Sequence, residues 1–176
     1  ILTREEDTFI KLQDRTKFAN QNEGSLFVSI HVNSAESRKA YGFETYFLST
    51  TKNESAIRVA ARENSVLELE GSVQTLKNED LIRATIAQAS FVQQSEKLAA
   101  IIQKEIGKRV ESKDLGVKQA GFYVLMGASM PNVLIELGFI SNAQEEKKLK
   151  SSQYREALAT SIYRAIEEYQ KSIDYE

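Results

Sequence analysis

The chain has 176 residues, of which 41% are hydrophobic and 27% charged, and its formal net charge at pH 7 is −2. This length suits one domain with a single core, and the composition and net charge suggest neither a disordered chain nor a nucleic-acid partner. The sequence has no cysteine, which excludes a disulfide framework and thiolate metal ligands. No apolar run approaches the ~20 residues of a membrane span, so we expect none.

The first half of the chain alternates helical and strand patterns. Residues 5–22 carry apolar side chains at three- and four-residue steps, which predicts an amphipathic helix that ends at Gly24. The stretch LFVSIHVNS (26–34) is apolar or small at nearly every position, which predicts a strand covered on both faces. YGFETYFLS (41–49) predicts a second strand, and residues 54–64 a short helix.

The second half continues the alternation. We predict one or two long helices over 79–107, strands at 121–128 and 131–140, a capping box at 141–144 and a terminal helix over 152–171. Alternating helices and strands predict an α/β fold with a mostly parallel central sheet and helices on both faces. The segment from 62 to 80 is polar and acidic with weak periodicity, which predicts an inserted loop or lid.

Two polar residues in apolar strands are candidates for one site. Ligands of open parallel sheets bind beyond the carboxyl ends of the strands, and His31 and Glu136 lie toward those ends of their predicted strands. An imidazole there is a common metal ligand; the alternative is a histidine satisfied within the core or a loop. A carboxylate among apolar neighbours can act as a general base; the alternative is pairing with an arginine or capping a loop.

Several stretches, in this order, carry a resemblance to a known family: LFVSIHVNS, GFETYFLS, SEKLAAIIQKEI and GVKQAGFYVLMGASMPNVLIELGFISN. Together they resemble the zinc-dependent N-acetylmuramoyl-L-alanine amidases of bacterial cell-wall turnover, from the first residue to about residue 170. The resemblance implies a phosphorylase/hydrolase-like fold, His31 as a zinc ligand and Glu136 as the catalytic carboxylate. It also implies hydrolysis of the amide between N-acetylmuramic acid and L-alanine of peptidoglycan, in the periplasm or after secretion.

The chain departs from the family pattern in its zinc site. The family's other protein ligands, a histidine and a glutamate, belong upstream of the first residues given, so the Zn²⁺ site is incomplete within this chain. We therefore expect Ile1–Glu176 to be a single amidase catalytic domain that lacks its N-terminal part.

The acidic segment 62–80 also has a counterpart in the family. In some of these amidases a helix places a glutamate in the zinc site until an activator protein withdraws it. The resemblance implies that Glu63, Glu68 or Glu70 could block the site in this way. The alternative is an ordinary surface loop.

Two other functions compete with the amidase. A non-catalytic domain of the same fold, binding peptidoglycan or a partner protein, is favoured by the missing ligands. The presence of both His31 and Glu136 favours the enzyme. A zinc peptidase or carboxypeptidase on a similar α/β scaffold would differ only in substrate.

Overall fold

The computed structural model describes residues 1–71 and 78–173. No helix in this described part combines the length and the apolar composition that crossing a bilayer requires. In chain order the elements are α1 (Leu12–Gln21), β1 (Phe27–Asn33), β2 (Phe43–Leu48), α2 (Glu54–Asn64), α3 (Val66–Leu69), α4 (Asn78–Ala87), α5 (Ala89–Gly107), β3 (Asp114–Ala120), a 3-10 turn (Tyr123–Leu125), β4 (Asn132–Phe139), α6 (Ala143–Lys150) and α7 (Ser152–Ile173).

The strands form one sheet in the order β1, β4, β2, β3. At its β1 edge the pairing is parallel. The Phe27 N–H donates to the Pro131 carbonyl at 3.0 Å, and the Ile140 N–H donates to the Asn33 carbonyl at 2.8 Å. Both strands therefore advance in the same direction.

The β3 edge is also parallel, because the Phe43 N–H donates to Lys113 and the Ser49 N–H to Ala120. Only β2 and β4 pair antiparallel, with Glu44 opposite Glu136. Two of the three strand pairs are thus parallel, and the predicted α/β fold with a mostly parallel sheet flanked by helices is confirmed.

The described residues belong to two compact units. Unit 1 comprises those within Ile1–Ser29, Phe47–Ser95 and Gln119–Val133, and unit 2 those within Ile30–Tyr46, Glu96–Lys118 and Leu134–Glu176.

In unit 1, side-chain hydrogen bonds position the short helices. The side-chain carbonyl oxygen of Asn53 accepts hydrogen bonds from the Ser55 and Ala56 N–H groups and so caps the N-terminus of α2. The α2 boundaries match the predicted 54–64. Helix α1 starts at Leu12, later than predicted, where the Leu12 N–H donates to the Glu70 carboxylate at 2.9 Å. At its C-terminus the left-handed residue is Glu23 (φ 51°) and not Gly24.

The predicted strand at 121–128 is wrong. The strand lies earlier, at β3, and residues Tyr123–Leu125 form a 3-10 turn. Phe122, Val124 and Leu125 are buried there, so their apolar character marks burial and not a strand. The side chain of Asn64 satisfies backbone groups that a strand partner would otherwise pair. Its amide donates to the Gly121 carbonyl and its oxygen accepts from the Tyr123 N–H, both at 2.8 Å.

Strand β1 is not covered on both faces as predicted. Ile30 and Val32 are 58% and 39% exposed, whereas Ser29 and Asn33 on the opposite face are buried. The strand lies at the edge of the sheet. An apolar run alone could not distinguish an edge strand from a central one.

In unit 2, the side chain of Gln103 ties α5 to two strands. Its Oε1 accepts from the Thr45 hydroxyl at 2.8 Å, and its Nε2 donates to the Phe43 carbonyl at 3.2 Å and to the Asp114 carboxylate at 2.5 Å. Gln103 and Thr45 are both buried. This polar contact fixes β2 and β3 against the helix.

A buried carboxylate also fixes the end of β4. Glu145, 4% exposed on α6, accepts from the Phe139 N–H at 2.9 Å, the Gly42 N–H at 3.1 Å and the Ser112 hydroxyl at 2.9 Å. The helix itself begins at the Asn142 side-chain cap, within the predicted capping segment.

We predict that Glu145→Ala lowers the free energy of unfolding by about 3 kcal/mol, because it leaves two buried backbone N–H groups without an acceptor. Urea unfolding followed by circular dichroism measures the change. Glu146→Ala is the matched control on the same helix: its exposed carboxylate pairs with Lys150, so stability should hardly change. Equal losses in the two variants would contradict this role of Glu145.

Candidate functional site

His31 is the fifth residue of β1 and is half-buried. Side chains alternate along a strand, so His31 shares the inward face with Ser29 and Asn33. Both neighbours are buried, at 7% and 1% exposure. The histidine thus lies on the sheet face, two residues before the carboxyl end of β1.

Glu136 is the fifth residue of β4 and is fully buried, at 0% exposure. Its flanking residues Ile135 and Leu137 belong to the same strand and point to the other face. A buried ionised carboxylate is costly without compensation. The position therefore requires charged or polar neighbours on the Glu136 face of the sheet.

Unit 2 brings His31 and Glu136 together. A ring nitrogen of His31 and a carboxylate oxygen of Glu136 lie within 4.8 Å of each other. Imidazole nitrogen and carboxylate oxygen are both ligands that Zn²⁺ takes in proteins. The two residues that the sequence singled out therefore face one small volume.

Glu44 was missed by the sequence analysis. It is 2% exposed and pairs with Glu136 across the antiparallel strands β2 and β4. Its Oε1 accepts from the Asn33 amide at 3.0 Å, and its Oε2 forms an ion pair with Lys118. The signal was present in GFETYFLS, where a carboxylate lies in an apolar strand as Glu136 does.

Tyr46 completes the polar face of β2. Burial is the main cause that raises the pKa of its hydroxyl above the ordinary value, and the charge of Glu44, a hydrogen bond to Glu44 and the charge of Glu136 add to it. The hydroxyl therefore stays protonated at neutral pH and can donate to a carboxylate.

The three acids that the resemblance singled out, Glu63, Glu68 and Glu70, have different surroundings. Residues 72–77 of the segment 62–80 lie outside the described part of the chain. Glu70 caps the N-terminus of α1 through Leu12, and Glu68 is exposed. Glu63, in the last turn of α2, is half-buried. Glu63 and Glu70 also act on Arg15. The pKa of the Arg15 guanidinium is lowered overall, mainly by burial and also by the charge of Arg4, and the charges of Glu70 and Glu63 oppose this shift.

The chain matches known proteins over nearly its whole length. The family model described as N-acetylmuramoyl-L-alanine amidase matches residues 1–168. The chain is 34% identical over 172 residues to N-acetylmuramoyl-L-alanine amidase AmiA of Escherichia coli K12, covering 96% of this chain and 60% of that protein. It is 33% identical over 171 residues to AmiC of Escherichia coli O6:H1, covering 96% of this chain and 41% of that protein. It thus spans 41 to 60% of the length of these relatives.

Solved structures of amidases are also similar to this chain. An N-acetylmuramoyl-L-alanine amidase from Clostridium difficile 630 is similar with a TM-score of 0.69 and 27% identity, over 97% of this chain and 70% of that one. The CwlD amidase of Clostridioides difficile, solved in complex with the GerS lipoprotein, gives a TM-score of 0.69 and 26% identity, over 98% of this chain and 75% of that one. With the family model matching 168 of its 176 residues, this chain belongs to the N-acetylmuramoyl-L-alanine amidase family.

Proposed function

We propose that the chain hydrolyses the amide between N-acetylmuramic acid and L-alanine in peptidoglycan. The observation that carries this proposal is the approach of His31 and Glu136 to within 4.8 Å, in a chain of the amidase family. The reaction forms a bond between a water oxygen and the lactyl carbonyl carbon, and it breaks the carbon–nitrogen bond to L-alanine. The products are a carboxylate and a free amine.

In this proposal His31 holds a catalytic Zn²⁺ and Glu136 moves the proton. Zn²⁺, when bound, supplies Lewis acidity at the amide carbonyl and at the attacking water. Glu136 accepts the proton of that water and returns it to the leaving nitrogen. Asn33, Glu44 and Lys118 form a polar network next to these residues, which supports a fixed orientation of the strand that carries His31.

We also propose that an acid of the segment 62–80 blocks this centre, as in the regulated amidases that the chain resembles. Of Glu63, Glu68 and Glu70, we propose Glu63 as the blocking side chain, because it is half-buried in the last turn of α2. Glu70 already serves as the acceptor for the Leu12 N–H, and Glu68 is exposed.

A partner protein would relieve such a block by acting on the segment 62–80. The CwlD relative was solved bound to a lipoprotein, which supports an activator of this kind. With peptidoglycan as substrate, we place the protein in the periplasm or outside the cell, in wall remodelling or daughter-cell separation. We propose that residues 1–176 act as one catalytic domain.

A second candidate is a domain that binds peptidoglycan without cleaving it. The observation that favours it is the single histidine of the chain, because catalytic zinc usually takes three protein ligands. The two candidates differ in what the loss of Glu136 would do, since binding alone needs no general base.

We predict that Glu136→Gln lowers kcat on purified peptidoglycan at least 10²-fold, because it removes the group that transfers the proton. Zinc content, measured by atomic absorption, should stay unchanged, whereas His31→Ala should lose zinc as well as activity. Glu146→Gln, on the exposed face of α6, is the control and should retain full activity. Wild-type chain that binds peptidoglycan without releasing any amine would favour the second candidate.

We further predict that Glu63→Gln raises the rate of hydrolysis about tenfold, because a neutral amide competes poorly for a metal. Glu68→Gln removes the same charge from an exposed position and should leave the rate unchanged. A lower rate with loss of zinc would instead make Glu63 a working ligand, and an unchanged rate would exclude both roles.

A further inference from the structure

Unit 2 contains an open depression of about 970 Å³ that is separate from the polar face of the sheet described above. Its walls come from the loop after β1, the connection between α5 and β3, and the start of α6. Four basic side chains line it: Arg38, Lys39, Lys113 and Lys148. These residues are far apart in sequence, so the fold brings the charges together.

None of these four side chains forms an ion pair with an acid among residues 1–71 and 78–173. Lys148 donates to a backbone carbonyl, that of Glu111, at 2.7 Å. The Lys113 ammonium lies 5.7 Å from the centroid of the Tyr41 ring. By contrast, Lys150 on the same helix as Lys148 pairs with Glu146.

The two acids of the depression do not neutralise this charge. Glu145 is buried, and both its oxygens are engaged by inward donors, namely the Gly42 and Phe139 N–H groups and the Ser112 hydroxyl. Glu111 is exposed, and its contact with Lys148 runs through the backbone carbonyl. The depression therefore carries an excess of positive charge that faces solvent.

The depression adjoins the end of the strand that carries Glu136. Phe139, whose N–H meets Glu145, is three residues beyond Glu136 on β4, which corresponds to about 10 Å along the strand. A peptide in extended form covers that distance with about three residues. The wall of the depression at Glu145 therefore lies about three extended residues from Glu136, measured along β4.

We infer that this basic depression binds the carboxylates of the peptidoglycan stem peptide, on the leaving-group side of the scissile amide. The inference takes its substrate from the proposed function. It adds which part of that substrate is recognised and which residues recognise it. Charge complementarity carries it, because the stem peptide bears side-chain and terminal carboxylates. The depression offers ammonium and guanidinium groups that form no ion pair within the described residues, with an exposed tyrosine ring beside them.

Binding is tested without catalysis by titrating the chain with the tripeptide L-Ala–γ-D-Glu–diaminopimelate in a calorimeter at low salt. We expect the free-acid tripeptide to bind about tenfold more tightly than the same peptide with its carboxylates amidated, and the difference to shrink as salt is added. Equal affinity for the two peptides would overturn the inference.

The residues are tested with the double variant K113Q/K148Q. We expect it to bind the free-acid tripeptide about five- to tenfold more weakly and to lose the preference over the amidated peptide. The matched control K147Q/K150Q removes the same two charges from α6 outside the depression and should bind as the wild type does. Equal losses in both variants would show a nonspecific charge effect and overturn the inference.

Two further experiments distinguish the stem peptide from another anionic ligand and binding from catalysis. Poly(glycerol phosphate) that binds at the depression more tightly than the tripeptide would make the ligand a phosphate polymer and overturn the inference. With cleavable peptidoglycan fragments, we expect K113Q/K148Q to raise KM and leave kcat unchanged. A wild-type chain that binds the tripeptide but releases no amine would contradict the proposed function alone, because the binding result stands independently.

Discussion

The structure of unit 2 depends on burying two carboxylates side by side. Glu44 and Glu136 are opposite each other on antiparallel strands, and both are almost completely inaccessible to solvent. Burying a carboxylate in its ionised form costs several kcal/mol unless oppositely charged or donor groups compensate. Lys118 and Asn33 compensate Glu44. A shift of one residue in strand register would move Glu136 to the other face, so this pairing also determines where the candidate site lies.

The site is held by regular structure on both of its strands. Beyond Glu136, the end of β4 is fixed by Glu145 of α6, which accepts from the Phe139 N–H. Beyond His31, the Asn33 side chain donates to Glu44, and the Asn33 carbonyl accepts from Ile140. Functional groups on strands whose ends are hydrogen-bonded keep their geometry better than groups on loops. This arrangement suits a reaction in which a base must stay within reach of a water molecule.

Local signals predicted the regular elements well and the irregular ones poorly. The helix Glu54–Asn64 was predictable because Asn53 supplies a local cap. The segment 121–128 was not, because its hydrogen bonds go to Asn64, far away in sequence. His31 and Glu136 were found as polar residues in apolar strands, but Glu44 shows the same pattern and was overlooked. Its role depends on pairing between strands, which no local pattern reveals.

The proposed role of His31 as a metal ligand beside Glu136 can be measured directly, because His31 is the lone histidine of the chain. In a ¹⁵N-labelled sample, imidazole resonances can come from His31 alone. Titration with Zn²⁺ should shift one ring nitrogen into the range of a metal-bound imidazole at about one equivalent, and Glu136→Gln should preserve that shift. Imidazole signals that stay unchanged in excess Zn²⁺ would contradict the account.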